Sequence, residues 1–438
     1  MKRRRLRICF VAEQFVPPVL DGSGLVYKAW LDALSQHHDV YAILFTQYPV
    51  DTREATDYLR KISCEHLILP GVPAGRIWKT LRAAARYFSG NLFAPRIIEE
   101  YGRGIVKKRI SAFLQSNQID LFVFSKLLIV HQFGYEAIAR LGAPCFIDIH
   151  DDGIENERML RAATARLLQN YPSLSHYKPY GRLLMRQRLS RLSIHSARLE
   201  ERRMLELFDC ILFGSVEEWN AYRERLAGTS CCEFLPWPIG VPDSTPAASN
   251  TPEFHAGFIG SSSVFNTEGI IYFCTRILPL ILQEIPDFRC LIAGRVSDPL
   301  SQIGQSWPGV SIEPYVEDVG SFYARIGTSI VPLLGGTGVS LKTLEAIAHG
   351  KPVVATSVGV RGIQRELYPD VIVIDDPDLF AQKLIDLSRG DARLKKSRIP
   401  HSVVAANFLD AFDRILERLW IDPQKRGVGA SMGSSANS

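Results

Sequence analysis

The sequence predicts an α/β protein made of two doubly wound, parallel-sheet domains, and three observations predict it. Short β-branched or apolar runs alternate with longer helix-like segments along most of the chain, the pattern of parallel sheets covered on both faces. The chain has 438 residues, whereas single hydrophobic cores stop growing near about 250 to 300 residues. Residues 235–253, LPWPIGVPDSTPAASNTPE, are rich in Pro, Ser, Thr and Ala and read as a linker between the two halves.

In chain order, the first half places strands at 6–12, 40–45, 121–124, 145–149 and 210–213, each a short apolar run bounded by polar or turn residues. The second half repeats the pattern at 256–259, 290–293, 329–332, 352–356 and 371–374. The expected organisation is a first Rossmann-like domain over 1–238, with basic helices at 155–203 added to it. A linker over 239–253 and a second Rossmann-like domain over 254–405 follow. Residues 406–421 carry Phe408, Phe412, Ile415 and Leu419 on one helical stripe and are expected to form a helix. The Gly- and Ser-rich tail, 422–438, is expected to be disordered. Doubly wound sheets bind ligands beyond the carboxyl ends of their strands, so the chemistry should sit in a cleft that the two domains face.

Composition narrows the classes. With 46% hydrophobic and 22% charged residues the chain is neither disordered nor fibrous. The apolar run at 121–130 is interrupted by Lys126 and falls short of the roughly 20 residues that span a bilayer, so no integral membrane segment is expected. The opening MKRRRLRICFVAEQF is basic, but its apolar run ends at Glu13 with no cleavage site after it. A cytoplasmic protein is expected. The cysteines are scattered and lack metal-ligand spacing, which favours buried thiols. The net charge is only +5, yet ten arginines lie between Arg158 and Arg203 against two acids, Glu200 and Glu201.

The most informative stretch is 331–363, VPLLGGTGVSLKTLEAIAHGKPVVATSVGVRGI. A strand runs into Gly335, Gly336, Thr337 and Gly338, then into a helix bearing Lys342 and Glu345. A glycine turn before a helix offers backbone N–H groups to a diphosphate. Lys342 and Glu345, three residues apart, share a helix face, offering a cation for phosphate and a carboxylate for a vicinal diol. The plainer alternative is a salt-bridged surface pair after a tight turn.

These residues closely resemble the carboxyl-terminal domain of the retaining GT-B glycosyltransferases of family 4, whose pattern P-L-x-x-G-x-G-x-x-x-K-x-L-E-A-x-A-x-G-x-P-V-V-x-T they follow. The resemblance continues upstream through Phe258, Ile259, Gly260 and Ser261, then Asn266 and Gly269, and through Pro286 and Asp287 to Gly294 and Arg295. It implies that Glu345 holds the ribose hydroxyls and that Arg295 and Lys342 hold the diphosphate. It further implies that Gly260, Ser261, Asn266, Gly336, Thr337 and Gly338 surround the donor sugar and phosphates, with Tyr315 and Val316 near the base. The chain departs at two positions. Many relatives have glutamate where Thr337 stands, and often arginine where Ser340 stands, which leaves the donor sugar open.

The opening resembles the family's first strand and turn, with Pro17, Pro18, Asp21, Gly22, Ser23 and Gly24 in a loop that would lie beside the diphosphate. After the strand at 145–149, Asp148 and His150 alternate onto one side. His150 is a candidate to hydrogen-bond the sugar, with Asp148 orienting it. Asp148, Asp151 and Asp152 beside His150 leave a divalent metal as an alternative, and a solvated acidic turn as another. Ser215 and Glu218 read as a capping box. The resemblance implies a helix at 406–421 that returns to the first domain, and a retaining glycosyltransferase with no metal and no cofactor. Its partners would be a nucleoside-diphosphate sugar donor and a sugar or lipid-linked acceptor, in surface polysaccharide or glycoconjugate synthesis, with no nucleic acid. The arginine-rich segment leaves open a peripheral contact with an anionic membrane, at its inner face, against a plain solvated face. Alternatives from other classes are a non-catalytic GT-B relative that binds a nucleotide sugar or a protein partner, and a dinucleotide oxidoreductase. The latter is disfavoured because no G-x-G-x-x-G follows strand one.

Overall fold

A computed structural model describes residues 5–12, 22–46, 52–69, 103–127, 129–177, 180, 193–227, 231–239, 252–316, 318–390 and 401–421. The expectations for Pro17, Pro18 and Asp21, for 181–192, for 240–251 and for the tail at 422–438 lie outside these residues. The chain divides into two compact units: Met1–His150, Leu189–Pro238 and Ala405–Ser438 form one, Asp151–Arg188 and Ile239–Val404 the other.

The first unit holds a parallel sheet of β1 (Arg7–Ala12), β2 (Asp39–Phe45), β3 (Glu65–Leu69), β4 (Leu121–Ser125), β5 (Cys145–Ile149), β6 (Cys210–Phe213) and β7 (Cys231–Phe234). Its strand order is β3-β2-β1-β4-β5-β6-β7. The order reverses direction at β1 and β4, the switch point at which doubly wound sheets bind ligands. The registers Ser125↔Asp148 and Ile149↔Phe213 set the ends of β4, β5 and β6 side by side. β1, β4, β5 and β6 are buried almost throughout, as strands covered on both faces must be. The helix His401–Ile421 seals one face: Phe408 and Phe412 pack edge-on against Trp30, at centroid distances of 4.7 and 5.8 Å. Its Arg418 pairs with Glu233 of β7.

The second unit is a parallel sheet of β8 (Phe254–Ile259), β9 (Cys290–Ala293), β10 (Val310–Glu313), β11 (Ile326–Val331), β12 (Val353–Ala355) and β13 (Val371–Val373), in the order β10-β9-β8-β11-β12-β13. Again the switch point lies centrally, between β8 and β11.

Three strands absent from the sequence reading, β3 (EHLIL), β7 (CCEF) and β10 (VSIE), are all edge strands. An edge strand has one neighbour and partial burial, so its sequence is too polar to stand out as an apolar run. The presumed linker also begins later than its composition suggests. Leu235, Trp237 and Ile239 are buried, and the Leu235 N–H donates to Phe213 O.

The segment 155–203, expected as an addition to the first domain, is divided: from Leu189 onward it falls in the first unit, whereas the part up to Arg188 falls in the second. The helix Gly153–Asn170 lies with the second unit, where Arg166 donates through Nε at 2.7 Å to Glu268 and the Tyr180 hydroxyl donates at 2.7 Å to Thr267. Its arginines are also less isolated than a count of acids within the segment implies. Arg158, Arg161, Arg166, Arg198 and Arg202 pair with Glu155, Glu157, Glu268, Glu201 and Glu206, four of which lie outside the stretch 158–203 over which the acids were counted. One further element departs from expectation. The helical stretch Val264–Glu284 is long and apolar enough to cross a membrane by length and composition, yet 67% of its apolar window is buried within the protein. Its Glu268 and Thr267 are tied to Arg166 and Tyr180, which suits a core helix.

Candidate functional site

In the second unit the sequence-predicted residues gather at the carboxyl ends of β8, β9 and β11. The Ala293 carbonyl accepts from the Gly260 N–H at 3.0 Å, and the Gly260 carbonyl in turn accepts from the Val296 N–H at 3.0 Å. Gly294, at φ +84°, passes so close that a Cβ there would lie 2.7 Å from Gly260 O. Such a φ is open to glycine at little cost. Asn266, buried, donates from Nδ2 to the Ser261 carbonyl at 2.9 Å and sits 3.3 Å from Ser261 Oγ, fixing the turn that enters the helix Val264–Tyr272. Lys342 comes over the same point. A Cβ on Gly260 would meet Lys342 Cε at 3.1 Å and Asn266 Nδ2 at 3.0 Å, so the glycine leaves the lysine its room. The Lys342 ammonium lies 5.9 Å from the Phe258 ring centre.

Glu345, one turn on in the helix Leu341–Ala348, accepts from the Tyr323 hydroxyl at 3.1 Å. Burial pushes the Glu345 carboxyl above its usual value, opposed by the Tyr323 hydrogen bond and the Lys342 charge. Burial likewise pulls Lys342 below its usual value, with the Glu345 charge opposing. Tyr323 stacks on His349 at 4.5 Å and 16°, which holds the phenol under the carboxylate. Burial also lowers His349.

The glycine turn adopts backbone that glycine supplies, with φ +135° at Gly336 and +73° at Gly338. A Cβ on Gly335 would press on the Phe265 ring at 3.0 Å, and one on Gly336 on Arg361 Nη2 at 3.1 Å. Arg361 donates from Nε to the Gly338 carbonyl at 3.4 Å, and its own carbonyl accepts from the Ser340 N–H at 2.9 Å. The Thr337 hydroxyl is buried and has no hydrogen-bond partner among the described residues. Arg295 follows β9 with its side chain mostly in solvent, 3.5 Å from Asp298. Tyr315 is 78% exposed after β10. Val316 adjoins it.

In the first unit, Asp148 and His150 are both buried. His150 Nε2 lies 2.8 Å from Ser125 Oγ and 3.2 Å from Asp148 Oδ2, and the Trp237 indole N–H donates to Asp148 Oδ1 at 3.2 Å. Trp237 reaches this position because residue 214 lacks a side chain, since a Cβ there would lie 2.6 Å from the indole. Gly22, Ser23 and Gly24 open the helix Gly22–Ser35, and Ser23 Oγ accepts from Lys126 at 2.6 Å. Asp152, a candidate metal ligand in the sequence, instead caps the helix Gly153–Asn170 by accepting from the N–H groups of Ile154 and Glu155. Among the described residues no three His, Cys, Asp or Glu side chains are placed to hold a metal ion. Ser215 caps the helix Val216–Arg225 by accepting from the Glu218 N–H.

Lys126, Trp237, Tyr323 and Arg361 were not among the candidates. Lys126 did leave a trace, as the charge that interrupts an otherwise apolar strand exit.

These constellations make comparison with known proteins informative. Residues 253–389 match the glycosyl transferases group 1 family. That group 1 segment contains every second-unit residue named above as a donor candidate. A 139-residue stretch is 29% identical to an uncharacterized 44.6 kDa protein in the cps region of Klebsiella pneumoniae, covering 30% of this chain and 36% of that one. Solved structures resemble nearly the whole chain. Sucrose-phosphate synthase of Thermosynechococcus elongatus has a TM-score of 0.54 at 14% identity, covering 94% of this chain and 100% of its own. An α,α-trehalose-phosphate synthase of Burkholderia xenovorans, solved with glucose-6-phosphate, has a TM-score of 0.55 at 12% identity with the same coverage. The Anabaena protein HepE, solved with UDP and glucose, has 0.53 at 12% identity, over 95% of this chain and 100% of its own. At such identities the likeness concerns the fold: two Rossmann-like, parallel-sheet units, as in GT-B glycosyltransferase structures.

Proposed function

We propose that the protein is a glycosyltransferase that moves a sugar from a nucleoside-diphosphate donor, held by the second unit, to a sugar or lipid-linked acceptor. We further propose that it acts with retention and without a metal. The observation that carries this reading is the convergence of Gly260, Asn266 and Lys342 in the group 1 segment, with Glu345 three residues beyond Lys342. The reaction builds positive charge on the sugar and negative charge on the departing diphosphate. The Lys342 ammonium and the N–H groups at Gly336–Gly338 would stabilise the latter, Arg295 would add a second cation from solvent, and Glu345 would accept from both ribose hydroxyls. His150, its Nε2 engaged by Ser125 and Asp148, would meet a sugar hydroxyl through Nδ1. The cps region of the Klebsiella relative supports a setting in surface polysaccharide synthesis. A cytoplasmic location with a peripheral membrane contact belongs to the same proposal. It rests on Arg182, Arg186 and Arg188, which lie outside the described residues.

The test is a calorimetric screen of UDP-, GDP- and other nucleotide sugars, followed by hydrolysis and transfer assays with the donor that binds. Binding together with transfer is the expected result. Binding with neither hydrolysis nor transfer to any acceptor would instead establish a non-catalytic nucleotide-sugar binder.

The two shifted groups make a pH prediction. Diphosphate binding needs Lys342 protonated, and its pKa lies below the ordinary lysine value, so affinity falls as pH rises through that lowered pKa. The diol contact needs Glu345 ionised, and its pKa lies above the ordinary glutamate value, so affinity falls as pH drops through that raised pKa. The plateau of nucleotide affinity is therefore narrower than free side chains would give, and Lys342→Met flattens its alkaline limb. An alkaline limb unchanged by that substitution would separate Lys342 from the phosphates.

A further inference from the structure

Lys126 stands immediately after β4 at φ +68°, and with Ser63 it is one of two non-glycine residues at positive φ among the described residues. A long side chain in the left-handed region is strained, and such strain concentrates where a side chain must be aimed. What holds it is local. The Lys126 N–H donates to the Asp148 carbonyl at 2.9 Å, across the Ser125↔Asp148 register of β4 and β5.

The side chain is half-buried and its ammonium donates at 2.6 Å to Ser23 Oγ, on the first turn of the helix Gly22–Ser35, 6.0 Å from the Tyr27 ring centre. Among the described residues no carboxylate forms an ion pair with it, whereas other half-buried cations of this unit, Lys28 and Arg7, have Asp32 and Asp120. The surroundings are polar and organised: Tyr27 packs 5.6 Å from the His150 ring, and His150 rests on Ser125. All of this lies at the carboxyl ends of β4 and β5, beside the switch point of the first sheet. An ammonium on a half-buried side chain that meets, among the described residues, a hydroxyl and a ring face, at a helix N-terminus whose dipole also favours negative charge, is suited to an anion.

We propose that Lys126 and Ser23 form an anion subsite of the first unit, which holds a phosphate or carboxylate carried by the acceptor. The acceptor class is then a sugar or lipid bearing such a group near the reacting hydroxyl. This rests on the reading of the first unit as the acceptor side, but binding of the anion can be measured without any transfer.

The experiment uses the full chain in phosphate-free buffer, titrated with inorganic phosphate and with glucuronate. Lys126→Asn removes the charge while keeping a residue that tolerates positive φ, Lys126→Arg keeps the charge, and Lys342→Met removes the donor-side cation. Loss of one charge-assisted contact should weaken anion binding by about tenfold or more in Lys126→Asn. Lys126→Arg and Lys342→Met should retain it, and Lys126→Asn should melt no lower than the wild type. Preference for phosphate or for glucuronate identifies the group. Sedimentation with phosphatidylcholine vesicles only when they contain phosphatidic acid, lost in Lys126→Asn, identifies a lipid source; phosphate binding without vesicle binding identifies a soluble one. Anion affinity equal in wild type and Lys126→Asn, or absent from both, overturns the proposal. Because the resemblance sets Ser23, which Lys126 contacts, in a loop beside the donor diphosphate, UDP and GDP are titrated into Lys126→Asn as well. Lost anion affinity with unchanged nucleotide affinity is the expected result, whereas lost nucleotide affinity assigns the anion to the donor and overturns the acceptor subsite. The donor reading itself is tested separately by Glu345→Ala.

Discussion

Replacing Glu345 by Ala is expected to weaken nucleotide binding by roughly a hundredfold, as loss of charge-assisted hydrogen bonds worth about 1.5 to 3 kcal/mol each implies. The carboxylate is held ready at a cost, because burial opposes its ionised form and only the Tyr323 hydroxyl and the Lys342 charge offset that. A diol that donates two hydrogen bonds relieves the cost, so the contact should carry more of the affinity than an exposed carboxylate could. Glu345→Gln keeps an acceptor oxygen without the charge and should fall between wild type and Ala. The measurement is calorimetric titration of UDP and GDP into variants whose circular dichroism matches the wild type. Unchanged affinity in a folded Glu345→Ala protein would falsify the ribose assignment.

The second large effect is on stability. Gly294→Ala combines two penalties. Alanine at φ +84° is strained, and its Cβ would lie 2.7 Å from the Gly260 carbonyl oxygen, a backbone atom that cannot swing aside. Left-handed strain of roughly 1 to 2 kcal/mol and an overpacking cost of about 1 to 3 kcal/mol together predict a loss of about 3 kcal/mol. Gly304→Ala isolates the first penalty. Its φ is +69° but nothing lies within 4 Å of the added methyl, so about 1 kcal/mol is expected there. Urea denaturation of the pair separates strain from clash. Equal losses would show that the approach of β9 to Gly260 is not tight in solution. Because Gly260 also makes room for Lys342, Gly294→Ala should lose nucleotide affinity as well, while Gly304→Ala should not.

What was legible in the sequence and what was not divide along physical lines. The central strands announce themselves because both faces are buried, so β1, β4, β5 and β6 read as unbroken apolar runs. The edges β3, β7 and β10 did not, since a half-exposed strand such as VSIE has no periodic signature strong enough to see. The proposed donor constellation was legible because most of it is local: the glycine turn, Lys342 and Glu345 fall within a dozen residues. Lys126 meets Ser23 across 103 residues and Trp237 meets Asp148 across 89. Such contacts exist only once the sheet has ordered its strands. Tyr323 was hidden for a related reason. Its sequence neighbours mark it as an ordinary core aromatic, and only the approach of the helix Leu341–Ala348 gives its hydroxyl a carboxylate.

The allocation of Asp151–Arg188 to the second unit has a consequence for dissecting the protein. The backbone passes from one unit to the other at 150/151, 188/189, 238/239 and 404/405, so neither unit is a contiguous piece of polypeptide. A fragment beginning at Ile239 would lack the strap that supplies Arg166 and Tyr180, leaving the buried Glu268 carboxylate and the Thr267 hydroxyl to find water in a surface built to exclude it. A fragment ending at Pro238 would keep that strap without its seat and lose the helix whose Phe408 and Phe412 cover Trp30. Expressed separately, each half would carry the other's packing surface. Soluble halves should therefore come from co-expression and reassociation, and an excised second unit would need residues 151–188 grafted back to it.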